Sequence, residues 1–226
     1  MTKINVTTIG AIAVAPIAAG ASGQIVYTEL GPITGNISIG GPMSSSTTLG
    51  LDFNNDNSDD MRIRRNISSG QVKLYIDGDS ANGQGANSED EIIAEPTSVD
   101  GLNPVALEAG DLIDGSANFR FASNDLGSAG ESDIWRSTGT GLFPVDSVER
   151  FIGVRTVLDG NTVFGWIGIV LTSEQTGTGG FVTGYVSGHA YEASGGPIVA
   201  GAIPAPAGAA TLALGGLAFA GRRRVG

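Results

Sequence analysis

The stretch from Thr162 to Leu171 is apolar on both of its sides. In an extended chain Phe164, Trp166 and Val170 share one face, and Val163, Ile167, Ile169 and Leu171 share the other. A strand wetted on one face alternates apolar with polar residues, whereas a strand covered on both faces has no need to. This segment therefore belongs in the middle of a sheet, with protein packed above and below it. Phe151–Leu158 is a second apolar run, and Asp159-Gly160-Asn161 between the two is a tight-turn signal, so the pair reads as a hairpin. A third strand is expected at Phe181–Tyr191, beyond Gly177-Thr178-Gly179-Gly180. That glycine cluster has no strand-to-helix step and no following lysine, so it is a hairpin connection and not a phosphate loop.

The remainder of the body repeats the pattern in shorter pieces. Ile25–Ile39 supplies one or two strands broken at Leu30-Gly31-Pro32, and Met61–Ile67 and Val72–Ile76 supply two more. Ile63 is expected inward and Arg62 and Arg64 outward. Residues 80–104 read as a surface loop, with Glu91–Ala94 as its only strand candidate, and Asn118–Ala122 is a further strand. Ile134-Trp135 is the core anchor of a Gly- and Ser-rich stretch. No segment holds a helical apolar stripe for three turns. Short strands with Gly-rich turns, 36 glycines in 226 residues without a collagen period, predict an all-β chain: a single antiparallel β-sandwich, jelly-roll-like, over residues 24–194.

Charge and cysteine content narrow the chemistry. All 23 acidic residues lie between Glu29 and Glu192, where only 8 basic residues accompany them, a net of −15 over that span. Such a surface repels nucleic acid and anionic lipid and attracts divalent cations. Without cysteine there are no disulfides, thiolate-bound metals or thiol catalysis.

The two ends differ from the body. Residues 1–23 place Lys3 before an apolar, small-residue run and then Ala-Gly-Ala-Ser-Gly, the layout of a signal peptide. Residues 195–203 read as a linker. Beyond them Pro204-Ala205-Pro206 leads into the Ala/Leu/Gly segment 208–221 and then Arg222-Arg223-Arg224. Its 14 residues are short for a bilayer core, which takes about 20, so a hydrophobic helix there would be a transient inner-membrane contact over 205–221 with the arginines on the cytoplasmic side.

This tail resembles the PEP-CTERM sorting tail of exported bacterial proteins, with Ala205 where the usual tail has glutamate. Phe151-Ile152-Gly153-Val154-Arg155, Phe164-Gly165-Trp166-Ile167, Ala190-Tyr191-Glu192 and Gly201-Ala202-Ile203-Pro204 are similar to the run that precedes the tail in such proteins. The resemblance implies export to the cell surface or matrix and processing of residues 204–226 by an exosortase-like membrane protease. It implies no reaction.

Asp52, Asn54, Asp56, Ser58 and Asp60 stand at positions 1, 3, 5, 7 and 9 of an acidic loop, the alternation by which oxygens reach Ca²⁺. The loop resembles the front of an EF-hand-like or dockerin-like loop. Asn57 stands where Gly is usual, and Ile63 where the bidentate Glu would be. The candidates are a structural calcium or a solvated acidic turn. Asp77 with Asp79, and Glu89-Asp90-Glu91, are carboxylate groups without the aromatic-lined cleft that glycoside chemistry needs. His189, the only histidine, alternates with Ser187, too far along a strand for proton transfer. No residue is thus expected to be catalytic. The expected function is a structural or adhesive surface protein associated with extracellular polysaccharide. The alternative is a calcium-stabilised carbohydrate-binding module, which needs an exposed cluster among Tyr27, Tyr75, Trp135 and Phe143, and after it a glycan-active hydrolase.

Overall fold

The computed structural model describes residues 23–40, 47–68, 71–78, 90–96, 102–121, 132–138 and 143–204. At its centre is the hairpin of β11 (Arg150–Leu158) and β12 (Asn161–Gln175), paired in one register from Arg150↔Ile169 to Leu158↔Asn161. Asp159 (φ 51°) and Gly160 (φ 78°) both take the left-handed conformation that a two-residue hairpin turn requires. β13 (Phe181–Glu192) adds to the other edge of β12, and β1 (Ile25–Glu29) and β2 (Ile39–Gly40) pair with β13.

On its free side β11 meets β6 (Glu91–Pro96), where the chain changes sheets. Glu91–Ile93 pairs with β9 (Phe119–Phe121), while Ala94–Pro96 pairs with β7 (Leu102–Pro104). β7 runs parallel to β10 (Ser132–Arg136). From β10 the second sheet continues antiparallel through β5 (Gln71–Gly78) and β4 (Met61–Ser68) to β3 (Thr47–Leu51). A third, two-stranded sheet joins β8 (Leu112–Ile113) to β14 (Ile198–Val199).

The single antiparallel jelly-roll-like sandwich is therefore not what these strands build. They form three sheets, none closed into a sandwich, and include one parallel pair. The reason lies in β12. A sheet in a two-layer sandwich has one dry face, and this one has two. Val163, Ile167, Ile169 and Leu171 face a core completed by Leu51, Met61, Ile63, Leu74, Ile76 and Ile134 of the second sheet. Trp166 faces the opposite side, where Phe151, Ile113, Phe119, Ile198 and Ala200 close a second core. Residues 195–203, read as a linker, supply part of that cover: Ile198 and Ala200 are buried, and Ala200 N–H donates to Asp111 O at 2.8 Å.

Membrane anchoring is a further correction. Among the described residues no helix is long and apolar enough to cross a membrane. Their one helix, α1 (Gly31–Thr34), is a single turn. Residues 1–22 of the expected signal peptide (1–23) and residues 205–226 of the expected tail (204–226) lie outside the described residues.

Backbones approach closely at the sheet centre. A Cβ on Gly165 would sit 2.5 Å from Ala190 O and 3.0 Å from a Val154 methyl. The obstructing carbonyl belongs to the ladder itself and cannot rotate away. Gly165→Ala is expected to cost about 2–3 kcal/mol, read from urea melts against wild type.

Candidate functional site

The acidic loop between β3 and β4 is closed by Asp60 N–H donating to Leu51 O at 2.9 Å. Its side chains are used to build the loop. Asp52 accepts the amides of Asp56 (3.1 Å) and Asn57 (2.8 Å), and Asp56 accepts that of Ser58 (2.8 Å). Asn54 accepts from Asp56 N–H and donates to its carboxylate, both at 3.2 Å. These bonds hold Asn55 (φ 61°) and Asn57 (φ 68°) in the left-handed region, which asparagine tolerates. Asp60 accepts Phe53 N–H at 2.6 Å. Phe53 is buried beneath the loop, with its ring 4.5 Å from that of His189.

Burial raises the Asp60 carboxyl to about 6; the Phe53 amide opposes this, and the charges of Asp52, Asp56 and Asp90 add to it. The five expected calcium ligands thus share one loop, but Asp52, Asn54, Asp56 and Asp60 turn acceptor oxygens toward their own backbone. Among the described residues no group of three or more His, Asp or Glu side chains is placed to hold a metal ion.

The other residues weighed in the sequence do not converge on a site either. His189 is buried against Phe53, and burial lowers its pKa to about 4, with Asp52 pulling weakly the other way. Ser187 donates instead to Glu149. Asp77 pairs with Arg64 at 2.7 Å, Glu91 pairs with Arg155, and Asp90 accepts from Thr156. Asp79 and Glu89 lie outside the described residues. Tyr75, Trp135 and Phe143 are buried, and Tyr27 lies against Trp166 at 5.8 Å, so the aromatic cluster sought on the surface is spent on the core.

A different site emerges beside the far end of the β12–β13 hairpin. Pro32, Asn36, Ser38, Thr172, Thr183, Gly184 and Tyr185 line an open recess of about 280 Å³. Its floor is made by a register shift between Leu171 and Ser173, which leaves Thr172 as an extra residue in β12. In an even strand Thr172 and Ser173 would face opposite ways; a bulge re-aims one of them. Both hydroxyls consequently reach Thr183 Oγ1, at 2.7 and 2.6 Å. The wall is the segment after α1, bridged to β13 through Asn36↔Tyr185. Ile37 N–H donates to Gly184 O at 3.1 Å, Gly184 N–H to Ser38 Oγ at 3.2 Å, and Val186 N–H to Gly35 O at 2.7 Å. Sequence reasoning missed this site. The signal available was the hydroxyl residues of Thr172-Ser173 and Thr183 on the two sides of one Gly-rich turn.

The chain matches no family model, no curated protein and no solved structure. The resemblance to PEP-CTERM proteins, with the export and exosortase processing it implied, gains no support from these comparisons.

Proposed function

We propose that this chain is a non-catalytic structural or adhesive module that holds a ligand at the recess lined by Asn36, Thr183 and Tyr185 without transforming it. The lining chemistry is the observation that supports this. Hydroxyls, a carboxamide and a phenol can donate and accept hydrogen bonds, and no carboxylate, imidazole or amine stands among the lining side chains. General acid–base catalysis needs a group that changes protonation near the working pH, positioned within hydrogen-bond reach. The only imidazole is packed on Phe53 in the interior, and no carboxylate lines the recess.

The test is a ligand panel (neutral sugars, sugar acids, amino acids and nucleosides) added to the full chain, with amide resonances and ligand masses followed together. Shifts at Asn36, Thr183 and Tyr185 with ligand masses unchanged are expected. A chemically altered ligand, or shifts confined to other parts of the chain, would count against the proposal.

A further inference from the structure

We infer that the recess takes a neutral saccharide unit, one ring of a longer glycan; this rests on the binding reading above and names the ligand class. The first argument is charge. The chain carries a net −11, yet none of the seven lining residues is charged. An anionic ligand would need a guanidinium, an ammonium or a convergent set of amides to replace its hydration. A cationic one would need a carboxylate. The recess has neither, and its match is a ligand that hydrogen-bonds without charge.

The second argument is the supply of unused hydrogen-bonding groups. Thr172, Ser173 and Thr183 form a chain of three hydroxyls, with Thr183 Oγ1 in the middle and Thr183 O as a further acceptor for Thr172 at 3.2 Å. Each hydroxyl has one proton and two lone pairs. The protons are largely engaged within the trio, and most of the lone pairs are left to accept from outside. Donors stand beside them on the same stretch of β13 and on the segment bridged to it. Asn36 Oδ1 is held by Ser38 N–H at 2.9 Å, which fixes the amide and leaves its NH₂ without a protein acceptor among the described residues. Tyr185 Oη likewise has no protein partner among them. Acceptors and donors side by side are what adjacent sugar hydroxyls, each both donor and acceptor, can satisfy together.

The third argument is shape. Tyr185 and Pro32 contribute two rings, flat C–H-rich surfaces of the kind that the apolar face of a pyranose covers. A volume of about 280 Å³ lies at the small end of ligand sites, enough for one ring and not for a drug-sized molecule. The recess is open, so a polymer can enter and leave through the same mouth. A Cβ on Gly184 would lie 2.5 Å from Val170 O, so β12 and β13 are in close contact at the base of the recess.

The test is affinity electrophoresis of the full chain through gels containing a neutral glucan, a neutral galactomannan or a polyuronate. At least one neutral polymer is expected to retard wild type, and the polyuronate is not. Tyr185→Ala removes the stacking surface and should weaken retention about tenfold, and Thr183→Val, nearly isosteric, about three- to tenfold. Circular dichroism melts confirm that each variant is folded, and Thr183→Val keeps the test decisive where Tyr185→Ala unfolds. Retention by neutral polymer that both variants leave intact overturns the inference. Retention by polyuronate alone, lost in the variants, overturns the ligand class and leaves the binding module standing. Absence of any Tyr185- or Thr183-dependent retention overturns the saccharide inference, and the binding reading falls with it only where the ligand panel above also gives no shift at Asn36, Thr183 or Tyr185.

Discussion

Trp166→Ala is expected to melt about 10 °C below wild type and to lose about 4 kcal/mol in urea. The loss is large because one side chain joins three parts of the second core. The indole is 2% exposed. It meets the Phe151 ring edge-on at 5.1 Å and the Tyr27 ring at 5.8 Å, and its Nε1–H donates to Ala202 O at 3.2 Å. Truncation therefore removes transferred area, two ring contacts and the donor that secures residues 195–204, and it leaves a cavity that rigid β11 and β12 cannot close. Two readouts separate this from ordinary core damage. Limited proteolysis should cut the variant within 195–204 before any other described segment, because β14 has lost its anchor. Trp166→Phe, which keeps the ring contacts but not the N–H, should recover more than half of the loss. A decrease below about 1 kcal/mol, or cleavage first in the β4–β5 sheet, would show that the second core is not integral to the body.

The same residue marks how much was legible in advance. Apolar positions on both faces of β12 announce a covered central strand, and Asp159-Gly160 announces the hairpin; both stand in the structure. What covers the second face was not legible. β8 and β14 are two residues each, too short to carry a period, and they become strands only by pairing across some 85 positions of sequence. β6 misled for a related reason. It serves one sheet with Glu91–Ile93 and another with Ala94–Pro96, so it has no single pattern of faces. In the acidic loop the alternation of oxygens was plain in the sequence, but not that they would turn to the loop's own amides. The recess depends on a bulge, and simple alternation places Thr172 and Ser173 on opposite faces.

From pH 4 to 6.5 the difference in stability between variants isolates two groups, buried His189 and half-buried Asp60, with opposite slopes. Asp60 keeps its proton to about 6 in the folded chain against 3.8 for the ordinary side chain. Between those values the native state binds more protons than the unfolded one, so this contribution is complete below 3.8 and is lost as pH rises through 6. His189 behaves in reverse. It titrates at about 4 in the folded chain against 6.5 ordinarily, so its contribution is present above 6.5 and is lost as pH falls toward 4. The histidine is enclosed and should be worth about 2–3 kcal/mol across the window; Asp60 is partly solvated, and screening reduces it to about 1–2 kcal/mol. In wild type the two partly cancel, leaving a net rise of about 1 kcal/mol toward neutral pH. Asp60→Asn removes the falling limb and should show stability climbing with pH more steeply than wild type. His189→Gln removes the rising limb and should show the opposite deviation, while the double variant should return close to the wild-type slope. The remaining acidic groups contribute the same background to all four chains, so differences in slope carry the result even where the substitutions shift the baseline. Urea melts at half-unit pH intervals provide the measurement. Parallel curves for the four chains would mean that neither group titrates against the packing of Phe53, and that the acidic loop is not coupled to the interior beneath it.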